Sequence, residues 1–190
     1  MACKGVGTDC GLDFCSRCVH FGGMTHTQPT PILGLDHDLP PANAQPGQML
    51  ARGVARHLAT LDFACVEEFV PARGLRTDVY ALGPKGEIWV IECKSCRADY
   101  MADQKWQGYL DYCDRFFWAV YRDFPVDLLP KGTGLIVADA YDAQIVTMGP
   151  ETKLAPARRK KLTLAFARCA ARRLQGHRDP GITATGINAS

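Results

Sequence analysis

The feature that most constrains this fold is an uninterrupted apolar run, Ile88-Trp89-Val90-Ile91, that ends in Glu92-Cys93-Lys94. A strand without polar alternation is covered on both faces, which places it in the middle of a sheet. A second β-rich run covers residues 77–82, and Gly83-Pro84-Lys85-Gly86 between the two is a hairpin signal. From residue 48 onward, Met49, Leu50, Val54, Leu58 and Leu61 recur at three- and four-residue steps, as on one face of a helix. Residues 64–70 read as a strand, residues 99 or 101 to about 113 as a helix, and residues 116–121, 135–138 and 143–148 as strands. A final helix is predicted over 156–175, with Pro156 in its first turn and Gly176 just past its end. The order predicts an α/β fold, a mixed central sheet flanked by helices.

The hairpin is also where chemistry is expected. Side chains alternate along a strand, so Glu92 and Lys94 share a face and Cys93 points the other way. If Leu82 pairs with Ile88 across the five-residue loop 83–87, Tyr80 meets Val90 and Asp78 meets Glu92. Like charges opposed across a sheet are destabilising and need compensation. A hard divalent cation supplies it, since Mg²⁺ takes carboxylate oxygens and keeps several waters for a substrate phosphate. Together with the Lys94 ammonium, such an ion can hold a phosphodiester, activate a water and stabilise the transition state. Acids and lysines near strand ends are often merely solvated. The buried run ahead of Glu92 raises a functional role to stand level with that alternative.

This pattern, Asp78 followed by Glu92-Cys93-Lys94, resembles the PD-(D/E)xK nuclease superfamily. The wider stretch from Ala51-Arg52-Gly53-Val54 to Leu174 is similar to one branch, the MmcB-like DNA-repair endonucleases. The resemblance rests on Arg76-Thr77-Asp78-Val79, Gly83-Pro84-Lys85-Gly86-Glu87-Ile88-Trp89, Glu92-Cys93-Lys94-Ser95, Asp103-Gln104-Lys105-Trp106, Cys113-Asp114-Arg115-Phe116-Phe117, Gly134-Leu135-Ile136-Val137-Ala138-Asp139-Ala140 and Leu154-Ala155-Pro156-Ala157-Arg158-Arg159. It implies a restriction-endonuclease-like core, Mg²⁺ or Mn²⁺ at Asp78 and Glu92, Lys94 as the catalytic lysine, and a bacterial DNA-repair setting with DNA and other repair proteins as partners. One departure matters. Many superfamily members carry an acid on the first helix, whereas residues 48–61 carry Arg52, Arg56 and His57 and no acid. Glu67 or Glu68 on the next strand is the substitute candidate. An incomplete metal shell leaves open a rival reading, a non-catalytic DNA-binding repair accessory on the same fold.

Charge patterning adds a second element. The formal net charge is only +2, but it is unevenly distributed: residues 153–178 hold nine cations and no acid. At about 100° per residue, Arg158, Lys161, Arg168 and Arg172 fall in a stripe roughly 80° wide. Leu162, Phe166, Cys169, Ala170 and Leu174 form the expected core face. A one-sided basic stripe suits phosphate contact that positions a strand without reading its sequence. A solvated helix face is the plainer alternative. Ser95 is a further candidate for phosphate contact, or merely satisfies its own turn. Trp106, Tyr109 and Tyr112 are spaced for packing.

Residues 1–47 read as a Cys- and Pro-rich leader, residues 48–176 as the domain, and residues 177–190 as a tail. The Cys15-x-x-Cys18 pair, with Cys3, Cys10, His20 and His26, is a weak zinc candidate because a second ligand pair is missing. Alternatively Met24 or Met49 is the initiator and residues 1–23 are not native. No segment approaches the ~18 apolar residues that span a bilayer, so the expectation is a cytoplasmic protein with reduced cysteines and no membrane partner. A homodimer is a further expectation.

Overall fold

The computed structural model describes residue 39, residues 42–102 and residues 105–181. Helix α1 (Pro46–Thr60) leads into β1 (Ala64–Ala72), β2 (Leu75–Leu82) and β3 (Ile88–Lys94). A short α2 (Arg97–Ala102) and a 3-10 helix (Trp106–Tyr112) follow, then β4 (Arg115–Val120), β5 (Gly134–Ala138), β6 (Ala143–Thr147) and the long α3 (Pro156–Arg178). The six strands form one sheet in sequence order. β1, β2 and β3 are antiparallel neighbours, β3, β4 and β5 are parallel, and β6 returns antiparallel to β5. This is the expected α/β architecture, a mixed sheet flanked by helices.

β3 lies inside the sheet, and all seven of its residues are buried. Its alternation divides the core in two. Trp89, Ile91 and Cys93 join Leu50, Val54 and Leu58 of α1 on one face. Ile88 and Val90 join Tyr80, Trp118 and α3's Leu162 and Phe166 on the other. The hairpin register is the one the loop length predicts: Leu82 pairs with Ile88 and Tyr80 with Val90. Gly86 takes a left-handed φ of 78°, and its N–H reaches the Gly83 carbonyl at 3.0 Å, closing the turn as a glycine can.

Two expectations are corrected. Residues 99–113 do not form one helix; α2 stops at Ala102, and a separate 3-10 segment carries Trp106 and Tyr109. Gly108 weakens a helix interior there by about 1 kcal/mol, and even a Cβ at that position would stand 3.1 Å from the Leu75 side chain. Tertiary contacts take over instead. The Tyr109 hydroxyl donates to the Arg76 carbonyl at 2.8 Å, and Trp106 packs on Phe116 and Trp118. The aromatic residues of this segment therefore serve packing, as their spacing suggests.

The second correction concerns α3. It continues through Gly176 to Arg178, because Gly176 meets open space and nothing terminates the helix there. Its buried residues are Leu162 and Phe166, each worth roughly 1.5–3 kcal/mol. Leu174, expected on the core face, is 59% exposed. The helix packs on β1, an edge strand, and all of residues 171–180 are exposed. Past the sheet, an apolar residue at core periodicity has nothing to pack against.

Candidate active site at the end of the central strand

The sheet register brings three acids abreast. Glu67 pairs with Val79 and Phe69 with Thr77, so Glu68 stands across from Asp78. Val79 pairs with Ile91, so the next step sets Asp78 beside Glu92 on the other side. The β2–β3 ladder ends at that step. In its place the Cys93 N–H donates to Asp78 Oδ2 at 2.7 Å, which fixes the carboxylate at the strand's end. Lys94, the last residue of β3, holds its Nζ 3.8 Å from Glu92 Oε2. Glu92 and Lys94 are only 3% and 5% exposed.

Glu68, Asp78, Glu92, Lys94 and Ser95 line one cleft of about 450 Å³. The predicted catalytic and metal residues, with the substitute acid on β1, thus line the same cleft without converging on one point. The row depends on an irregular backbone. Glu68 has a left-handed φ of 50°, which an L-residue adopts at a cost of order 1–2 kcal/mol. That kink breaks the inward–outward alternation, so Val66 and Phe69, three residues apart, both join the α3-side core. Arg173 of α3 braces the kink by donating to the carbonyls of Glu67 at 2.5 Å and Glu68 at 3.4 Å.

Burial pushes the Asp78 carboxyl above the usual carboxylate range; the Cys93 amide, Lys94 and Arg76 pull it down without prevailing, and Asp99 adds to the rise. Glu67 next to the row is likewise raised by burial, against the pull of Arg173. The Cys93 thiol, on the opposite face of β3, is pushed well up by burial and the neighbouring acids, and stays a buried thiol.

Ser95 is less available than its position suggests. Its amide and hydroxyl both donate to Asp99 Oδ2, at 3.0 and 3.2 Å, which is the turn-satisfying alternative. Arg76, Asp99 and Gln48 also line the cleft. Sequence reasoning gave none of them a role in the site, although Arg76 lies two residues before Asp78 and shares its face by strand alternation. Gln48 is the residue α1 presents where an acid is absent, and its Oε1 accepts the Gln45 N–H at 2.9 Å.

The basic stripe divides. Arg168 and Arg172 line a groove of about 530 Å³ between α3 and β1, whose wall includes Glu68. Arg158 instead donates to the Asp111 carbonyl at 2.9 Å and lies over the Tyr112 ring. Lys161 is exposed and lines neither cleft. Arg159, outside the stripe, forms a two-pronged pair with buried Asp114 at 2.6 and 2.7 Å.

Every ligand-type side chain in the row is a carboxylate, the donor class of hard divalent cations. Among the described residues, no three His, Cys, Asp or Glu side chains converge closely enough to hold an ion by themselves. The carboxylate donors of Asp78 and Glu92 are of the type that would hold a cation whose shell is completed by water or phosphate oxygens. The cysteine-rich zinc candidates, Cys3, Cys10, Cys15, Cys18, His20 and His26, lie outside the described residues.

Fold and cleft define a mixed α/β protein with an acid-and-lysine cleft at the C-terminal end of its central strand. The profile of the DNA repair protein MmcB-like family matches residues 40–181, and the chain belongs to that family. A solved structure, the SPO1766 protein of unknown function from Silicibacter pomeroyi, is 67% identical, with a TM-score of 0.73 over 77% of this chain and 99% of that one. No functionally curated protein matches the chain. Among the described residues, no helix is long and apolar enough to cross a membrane.

Proposed function

We propose that this DNA-repair family member is a metal-dependent DNA endonuclease. The observation that carries the reading is the row Glu68–Asp78–Glu92 on three adjacent strands, with Lys94 in the same cleft. Carboxylates opposed across a sheet, here the buried Glu92 and half-buried Asp78 with the exposed Glu68 beyond them, cost stability, and a site retains them where they serve a charge that arrives later. When bound, Mg²⁺ or Mn²⁺ supplies charge neutralisation at the phosphate and an acidified water.

The protein's own residues divide the remaining work. Asp78 and Glu92 hold the cation, and Glu68 closes the row from β1. The Cys93 amide keeps Asp78 in place. Lys94, as an ammonium beside Glu92, has donors and no acceptor. It orients the attacking water and stabilises the negative charge that grows on the phosphate oxygens as the water oxygen, giving up a proton to solvent, bonds to phosphorus and the ester P–O bond breaks, the leaving oxygen taking up a proton from solvent. Burial of Glu92 and Lys94 keeps bulk water from screening that interaction.

The test is incubation of the pure protein with nicked, branched and single-stranded DNA, with Mg²⁺ and with EDTA. Product that needs Mg²⁺, and that disappears in Asp78→Ala and Lys94→Ala, is expected. Undiminished cleavage by either variant would sink the site. A second reading, a non-catalytic DNA-binding repair accessory, draws on the absence of an acid from α1 and, among the described residues, of a ready three-ligand set. Metal-independent binding with no product on any substrate decides for it.

A further inference from the structure

The groove between α3 and β1 combines two surfaces that duplex binding does not require together. Arg168 and Arg172 stand on its α3 side, both exposed. Between them and the strand lie apolar groups: Ala165 and Cys169 are part-buried, and Val70 is 55% exposed. Arg173 also lines the groove, but its guanidinium is committed to the Glu67 and Glu68 carbonyls, so it builds the wall. The groove and the acid cleft meet at Glu68, which lines both.

A duplex shows its outside as phosphate and sugar, which cations alone can grip. A single strand also presents unstacked base faces; proteins that hold it pair a basic groove with side chains that cover those faces, most often aromatic ones, and here aliphatic groups offer the apolar contact instead. We infer that this groove binds single-stranded DNA, with phosphates on Arg168 and Arg172 and bases against Val70, Ala165 and Cys169, and that the strand passes Glu68 into the acid cleft. The substrate class follows: DNA carrying an unpaired segment next to the scissile bond, such as a flap or gap. The course into the cleft rests on the nuclease reading; strand binding in the groove does not.

The test measures binding by fluorescence anisotropy of the full-length protein in EDTA, using a labelled 20-nucleotide single strand and a duplex of equal length. The wild type is expected to bind the single strand at least about tenfold more tightly than the duplex. Arg168→Glu with Arg172→Glu should abolish that preference, while Arg168→Lys with Arg172→Lys keeps most of it. Both side chains are exposed, and circular dichroism checks that the fold survives. Val70→Asp should weaken single-strand binding and leave duplex binding unchanged. Replacing both arginines by alanine should flatten the slope of log affinity against log salt by about 1.4, since each phosphate contact contributes about 0.7 on a single strand.

Equal or tighter duplex binding, or a charge reversal without effect, overturns the inference. Because EDTA excludes metal-dependent cleavage, an inactive protein that still prefers the single strand defeats only the nuclease reading. An active protein indifferent to the reversal defeats only the groove.

Discussion

The two ends of β3 handle buried charge in opposite ways. At the start of the strand, Asp114 is 3% exposed yet fully engaged. It receives Ile88 N–H at 2.7 Å, Leu154 N–H at 2.9 Å and both prongs of Arg159. Burial alone would raise its pKa, but the Arg159 and backbone hydrogen bonds prevail and hold it below the ordinary value. Toward the other end, about 13 Å along the strand at ~3.3 Å per residue, Asp78 has one amide donor, acids on the strands to either side and the weaker pull of Lys94 and Arg76, and its pKa is raised. A buried carboxylate with all its partners is a structural latch. One whose amide donor and cationic neighbours do not offset burial is where, on the proposed reading, a cation would be taken up.

The contrast is broken most directly at the acid end. Asp78→Asn keeps an oxygen for the Cys93 amide but removes the charge. Magnesium-dependent cleavage should fall at least about 10²–10³-fold, while the metal-free protein melts no lower than the wild type. A lower melting temperature with activity intact would reverse the roles assigned to the two ends. At the latch the balance is the other way: Asp114→Ala strands two backbone amides and Arg159, and should cost about 3–5 kcal/mol in denaturant unfolding. A loss below about 1 kcal/mol would show that the latch is not structural.

Acid separates the same two groups. Because the folded Asp114 carboxyl titrates below its unfolded value, ionisation favours the native state. That stabilisation is complete above the unfolded pKa of about 3.9 and is lost as pH falls through the lower folded value. The stability gap between wild type and Asp114→Asn should therefore be constant at neutral pH and shrink below about pH 4. A gap that widens in acid would contradict the assignment.

Smaller effects sharpen the picture. Glu68→Gly relieves the left-handed backbone at φ 50° and should stabilise the fold by about 1 kcal/mol while lowering cleavage. Destabilisation would mean that the kink is held by the glutamate side chain. Arg158→Ala removes an exposed pair with Asp111 and should cost less than about 1 kcal/mol.

Local patterns carried much of this molecule. The apolar run 88–91 placed β3 inside the sheet because nothing polar on it could face water. The five-residue loop after Leu82 set the register, and with it the facing of Asp78 and Glu92, because side-chain period and turn length leave few pairings. The end of α2 at Ala102 and the exposure of Leu174 were not legible. Helical periodicity describes a face but not whether a sheet lies beneath it. Tertiary structure also set Glu68 rather than Glu67 on the wall of the cleft, through a kink that no propensity favours, and split the basic stripe into a groove-lining pair and an arginine held by the 3-10 segment. It alone joined Asp114 to Arg159, 45 residues apart. Sequence by itself determined which residues share a strand face, since that follows from backbone geometry over a few residues. Which of those faces meet, and which charges are left among their own kind, depended on packing between distant elements.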